Sequence, residues 1–379
     1  MKNAGTLGPV IILLALGFSA CAKKDAPTAW KGKVTVEDGV RVIRNPAEPL
    51  YGELALDLEE DLQIGREDDE NYIFGQIIDV QMDDEGTIYV CDVKTPIVQM
   101  YDRNGLYVRT IGKIGQGPGE YERPMRMALL SQPRRLYVQD MMRLKSFGPG
   151  GEYITEILLK SFPYAFTVGG DGTIWAALSA VSDEGRSKEL QRISPQGETL
   201  QVLGRFTYDI YTKRESATTT VSFTTGYEYD LHLAKVDAST IVYGHSKDYA
   251  LEVVGADGKP RLRIRNDEPA QEFTGEEKEK LAKFGTPGHK PSFYGLTTDD
   301  RGRIWVHRSN PLATRGQKRE YDIYSRDGYF LYKTRLIYGR QFVVKNGALC
   351  ARHVLEEEGL EVVKRYKIKN WDAIKDSAS

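Results

Sequence analysis

Five ionisable side chains occupy one position of a pattern that recurs six times in this sequence: Asp92, Asp140, His245, Arg308 and His353, with Leu178 in the remaining copy. Each stands at the exit of a short apolar segment, where a turn would accept Ser, Asn or Gly as readily. A carboxylate so placed could serve as a general base, a guanidinium could clamp an anion, and neutral imidazoles could ligate Zn²⁺. His232, upstream of His245, adds a third imidazole, so His232, His245 and His353 form a candidate divalent-metal set with Asp92 or Asp140 as base. The competing use is local, because Asp readily accepts hydrogen bonds from the backbone of its own turn.

The elements that position these residues are read from the repeat itself. Gly86-Thr-Ile-Tyr-Val90 returns as Gly172-Thr-Ile-Trp-Ala176 and Gly302-Arg-Ile-Trp-Val306, with looser copies at Arg135–Val138, Thr240–Tyr243 and Gly347–Cys350. After each of the first five copies comes a strand, a turn closing on Gly105, Gly151, Gly197, Gly258 or Gly328, and an alternating strand. Glycine at those turns supplies the positive φ of a tight hairpin. Four antiparallel strands cannot bury both faces alone, so the six units must stack. The expectation is an all-β, six-bladed β-propeller over residues 51–371, with a tail over 372–379. The sixth unit shows three strands, and the ending Leu62-Gln-Ile-Gly65 matches Arg109-Thr-Ile-Gly112, which closes a fourth strand. An N-terminal strand is therefore expected to complete the last blade and close the ring.

In such a ring the segment exits share one rim with the connections between blades. Gly112 to Pro124 contributes Lys113, Glu120, Tyr121 and Arg123; Thr207 to Asp230 contributes Tyr208, Tyr211, Tyr227 and Tyr229. Asp267 to Phe293 carries a capping-box pattern, Thr274 with Glu277. The expected binding set is Asp92, Asp140, His245, Arg308, His353, Tyr121 and Arg123. No His-x-Glu-x-x-His, Cys-x-x-Cys, phosphate-loop or Gly-x-Ser-x-Gly motif occurs, so no catalytic residue is assigned and no cofactor is expected, a divalent metal being the alternative.

The 379 residues carry 52 basic and 54 acidic side chains, which removes the basic footprint that nucleic acid requires. Lys2 precedes an apolar stretch from Pro9 to Phe18, too short to span a bilayer, followed by Phe18-Ser-Ala-Cys21. This segment resembles a bacterial lipobox. The resemblance implies a signal peptide over residues 1–20, acylation of Cys21, and a tether over 21–50 leading to an envelope location. Ala22 after the cysteine implies the outer membrane. Cys91 and Cys350 fall inside strands and read as buried thiols rather than a bridge.

From about residue 50 to 370 the chain resembles the NHL-like six-bladed propeller lipoproteins of Gram-negative bacteria. The Gly-x-Ile-Tyr/Trp cores, Tyr89-Val-Cys-Asp92 and Ile111-Gly-Lys-Ile-Gly-Gln-Gly-Pro-Gly-Glu-Tyr121 carry that resemblance. It implies a fold and an address, not a reaction. The functional expectation is an envelope-anchored lipoprotein whose rim binds a protein, peptide or glycan partner without catalysis. The alternative is a metal-dependent hydrolase or lyase working at the channel mouth.

Overall fold

The computed structural model describes residues 29–182, 185–208, 211–214, 220–223, 225–282, 287–308, 317–337, 342–355 and 359–378. Six antiparallel sheets are arranged as blades. Blade one is Ile77–Met82, Ile88–Asp92, Ile97–Tyr101 and Tyr107–Ile111; blade two is Pro124–Leu130, Arg135–Asp140, Arg143–Phe147 and Tyr153–Leu158. Blade three is Pro163–Val168, Ile174–Ser182, Gly185–Ile193 and Thr199–Thr207. Blade four holds Leu231–Lys235, Thr240–His245, Ala250–Gly255 and Pro260–Asn266; blade five holds Gly295–Thr298, Ile304–His307, Arg319–Tyr324 and Phe330–Leu336. Blade six is Phe342–Lys345, Ala348–Val354, Glu361–Ile368 and, from the other end of the chain, Leu58–Ile64, which lies antiparallel to Glu361–Ile368.

The first strands of successive blades touch one another in a closed circle and surround a central channel. The repeated core residues form the layers between blades. Tyr89, Tyr137, Trp175 and Trp305 are all nearly inaccessible, and each packs in an apolar cluster. Asp83 and Asp299 shape equivalent turns, each accepting from the backbone N–H groups two and four residues on, and Gly86 and Gly302 supply φ of +85° and +76°. Burial pushes the Cys350 thiol up to about 12 and the Cys91 thiol up as well, and neither is bridged.

Two expected boundaries are corrected. Residues 33–45 are not a tether: Lys33–Glu37 and Val40–Asn45 form a hairpin, and Val40–Asn45 runs parallel to Pro260–Asn266, widening blade four to six strands. Val42 and Ile43 are fully buried, and Asn45 donates to the Gly328 carbonyl at 2.8 Å while accepting from Phe330 N–H at 2.8 Å. Pro27, Pro46 and Pro49 flank the segment, but its apolar Val42 and Ile43 are buried against the outer flank of blade four. Nor are residues 372–378 a free tail, because Trp371 and Ile374 sit in the core of blades five and six and Arg303 reaches Asp376 at 3.1 Å. Cys21 lies outside the described residues.

Candidate functional site

The five ionisable residues at the second-strand exits share a side of the ring, yet three of them act on the backbone around them and Arg308 on neighbouring side chains. Asp92 is fully buried and accepts from Gly75, Gln76, Lys94 and Thr95 N–H at 2.6, 3.0, 2.9 and 3.0 Å. Asp140 accepts from Arg123 N–H at 2.7 Å and Glu122 N–H at 3.1 Å, and pairs with buried Lys145 at 2.9 Å. His245 Nε2 donates to the Thr207 carbonyl at 3.0 Å, and burial holds its imidazole pKa below the ordinary range. Arg308 bonds Glu268 at 2.9 Å and Asp322 at 3.2 Å and lies over the Tyr249 ring. In every case the partner includes the connection that enters the same blade's first strand. These side chains pin the rim loops, and His353 stands half-buried at the sixth exit.

Tyr121 is fully buried with its ring against Phe147, so it is not on the accessible rim as expected. Gly112, at φ +76°, lets it in: a Cβ there would lie 2.3 Å from the ring. Arg123 is exposed on that loop. Nor do the imidazoles His232, His245 and His353 come together: among the described residues no group of three or more His, Cys, Asp or Glu could hold a metal ion. The Thr274–Glu277 capping box is present and opens helix Gly275–Leu281. Tyr227 donates to Glu277 at 2.9 Å and Tyr229 to the His289 carbonyl at 2.9 Å, which joins the two long rim connections.

Asp92→Ala strands four backbone N–H groups in a dry rim and is expected to cost about 2–4 kcal/mol, against about half that for Asp92→Asn, which keeps one acceptor. Urea unfolding of the three proteins checks the order.

The cavity that could hold a ligand is the channel itself, about 590 Å³ and within the range of small-molecule sites. One register position of the first strands faces it in blade after blade. Asp79, Arg126, Ala165, His232 and Gly295 pair respectively with Cys91, Gln139, Ala177, Gly244 and His307 of the second strands. All five line the cavity, and the bare Gly295 lets His307 behind it line the wall too. In blades one to three a bulge precedes this position and re-aims it.

Asp79 joins blades one and two by accepting from Met127 N–H at 2.7 Å, and also takes Val80 N–H at 2.8 Å. Burial raises its carboxyl to about 6, with the Met127 N–H, Gln81 and Arg126 pulling the other way. Asp230, also walled in, is pushed up by burial, but the charges of His232 and Lys188 hold it below the usual carboxylate range. Lys188 bonds that carboxylate while its ammonium sits 3.8 and 3.9 Å from the ring centres of Tyr164 and Tyr208. Arg126 differs from all of these. Its guanidinium feels Asp79 and Asp230, and burial lowers its pKa, yet it makes no hydrogen bond or ion pair among the described residues. Sequence reading missed Asp79, Arg126, Lys188 and Asp230. The available signal was a charge inside an otherwise apolar first strand, Ile-Ile-Asp-Val in one blade and Met-Arg-Met in the next.

Because the folded carboxyl of Asp79 titrates near 6 and an unfolded one near 3.8, the native state binds the extra proton between those values. That stability is full below about pH 4 and is lost as pH rises through 6, a difference of about 3 kcal/mol. Asp79→Asn is therefore expected to flatten the fall in stability between pH 4 and 6, measured as the difference between the two proteins' unfolding curves.

A family model described as a 6-bladed beta-propeller, DUF5128, matches residues 66–241. No curated protein matches the chain. Among solved structures, a candidate exported protein of Bacteroides fragilis is 11% identical, covering 86% of this chain and 100% of its own, with a TM-score of 0.54. A member of the duf4221 family from Bacteroides vulgatus is 14% identical, covering 83% and 98%, with a TM-score of 0.51. At such identities the likeness extends to the fold alone. The chain is a six-bladed β-propeller built from four-stranded antiparallel blades.

Proposed function

We propose that this propeller is a binding protein of the cell envelope, held to the membrane by an acylated Cys21, that takes part of a protein, peptide or glycan partner into its channel without chemistry. The observation that carries the reading is Arg126, a half-buried guanidinium lining an open cavity with no hydrogen bond or ion pair among the described residues. Folding alone does not call for such a group, because drawing a cation even partly out of water costs free energy unless it is paired. The rim charges support the same reading from the other side. Four of the five hold loops in place, so the rim is a rigid frame around the opening.

The lipobox resemblance supports the address, and two or more acyl chains suffice for stable anchoring. No helix among the described residues is long and apolar enough to cross a membrane. Full-length protein applied to glycan and peptide arrays is expected to retain one class of partner. Ala165→Trp, which projects a ring into the channel, is expected to abolish retention. Retention untouched by that substitution would refute a channel ligand. In cell fractionation, Cys21→Ser is expected to move the protein out of the membrane fraction.

A further inference from the structure

The geometry points to a ligand bearing one carboxylate flanked by hydroxyl groups, a uronic acid residue of an acidic glycan, seated on Arg126. The inference rests on the channel-binding reading and specifies its ligand. Arg126 offers a planar fork of N–H donors suited to a carboxylate, and among the described residues it makes no hydrogen bond or ion pair. Lys188, the other strong cation of the cavity, already bonds Asp230 and is enclosed by two tyrosine rings, so it does not supply a second anion site. The channel therefore matches one negative charge rather than a phosphodiester chain or a polyanion.

What surrounds that charge selects the rest of the molecule. Asp79 and Asp230 lie within electrostatic reach of the guanidinium and repel a second anion, while their oxygens accept from hydroxyl donors. Gln81 and Thr297 add polar groups to the cavity lining from blades one and five. Ile78, Met125, Leu233 and Leu296 supply apolar surface for the C–H face of a pyranose ring. A peptide carboxyl terminus would present one carboxylate but carries no set of hydroxyls for the two aspartates. A cavity of about 590 Å³ admits one or two sugar units, the rest of a chain leaving through the mouth.

The test is isothermal titration calorimetry on the full-length protein with methyl glucuronoside and methyl galacturonoside. Their neutral glucoside and galactoside counterparts and N-acetyl-dialanine form the other arms. At least one uronoside is expected to bind at least tenfold more tightly than its neutral counterpart. Arg126→Gln is expected to erase that preference while leaving the melting temperature within a few degrees. The inference is overturned by equal binding of acidic and neutral sugars, by an acid preference that survives Arg126→Gln, by tighter binding of the dipeptide, or by no uronoside binding at 10 mM. Failure of the channel reading looks different, since uronoside binding would then survive Ala165→Trp. A wild type that binds the neutral sugar, and loses it in Ala165→Trp, keeps the channel and discards the acid.

Discussion

A chain shortened to begin at Arg66 is expected to yield no folded monomer, whereas one beginning at Tyr51 melts at a lower temperature but remains monomeric. The longer deletion removes Leu58–Ile64, so blade six loses its fourth strand and Glu361–Ile368 becomes an unpaired edge. Ile64, fully buried among Ile77, Val80 and Val363, goes with it and opens the layer between blades six and one. The shorter deletion removes only the hairpin flanking blade four, together with the buried Val42 and Ile43, and leaves the circle paired. The longer deletion also removes Glu53–Leu54, which pairs parallel with Phe330–Leu336, so the comparison reads the closing strand together with this short edge strand of blade five. Size-exclusion chromatography and thermal melting read it. A monomeric, cooperatively melting chain from Arg66 would show that the ring does not depend on the closing strand.

The second large effect concerns the opposite end of the channel axis, where a buried ion pair holds the C-terminal segment. Asp299 and Arg303 have fully inaccessible side chains. The carboxylate takes Arg303 Nε at 2.7 Å and Trp305 Nε1 at 2.9 Å, and Arg301 and Arg303 N–H at 3.0 Å each. Arg303 in turn lies over Trp371 and reaches Asp376. Asp299→Ala leaves that guanidinium buried beside an emptied turn, and is expected to cost about 3–5 kcal/mol. In a domain of this size that corresponds to a fall in Tm of roughly 5–10 °C. Replacing both residues together, Asp299→Leu with Arg303→Met, is expected to recover only part of the loss, because the desolvation cost of the charges disappears while the Arg301, Arg303 and Trp305 N–H groups still lack their acceptor. Calorimetric melting of the three proteins checks the order.

The architecture was legible because the core motif is a packing requirement. A Gly that turns, an Ile that fills, and a Tyr or Trp that seals the gap between sheets must recur wherever blades stack, and so the count of blades could be read from Gly86, Gly172, Gly302 and their looser relatives. The site was legible only as a circle of charges. Asp92 and Asp140 have the right types for chemistry, but turns use the same carboxylate for backbone N–H groups, and residue identity does not separate the two uses. Arg126 and Asp79 were hidden for a different reason. Each is a single charge in an apolar strand, and only the ring brings the equivalent positions of separate blades face to face. The hairpin at 33–45 escaped because it adds to blade four by a parallel pairing that no local pattern announces.

The outermost strand of blade four has one more bearing. Trp30 packs edge-on against Tyr329, with ring centres 4.8 Å apart, and the chain then runs straight into Lys33–Glu37 at the perimeter. Trp30 and the strand after it thus sit at the circumference of the disc and not at its axle. A leash of the kind proposed for Cys21 would then pull on the wheel at its outer edge and not at its hub.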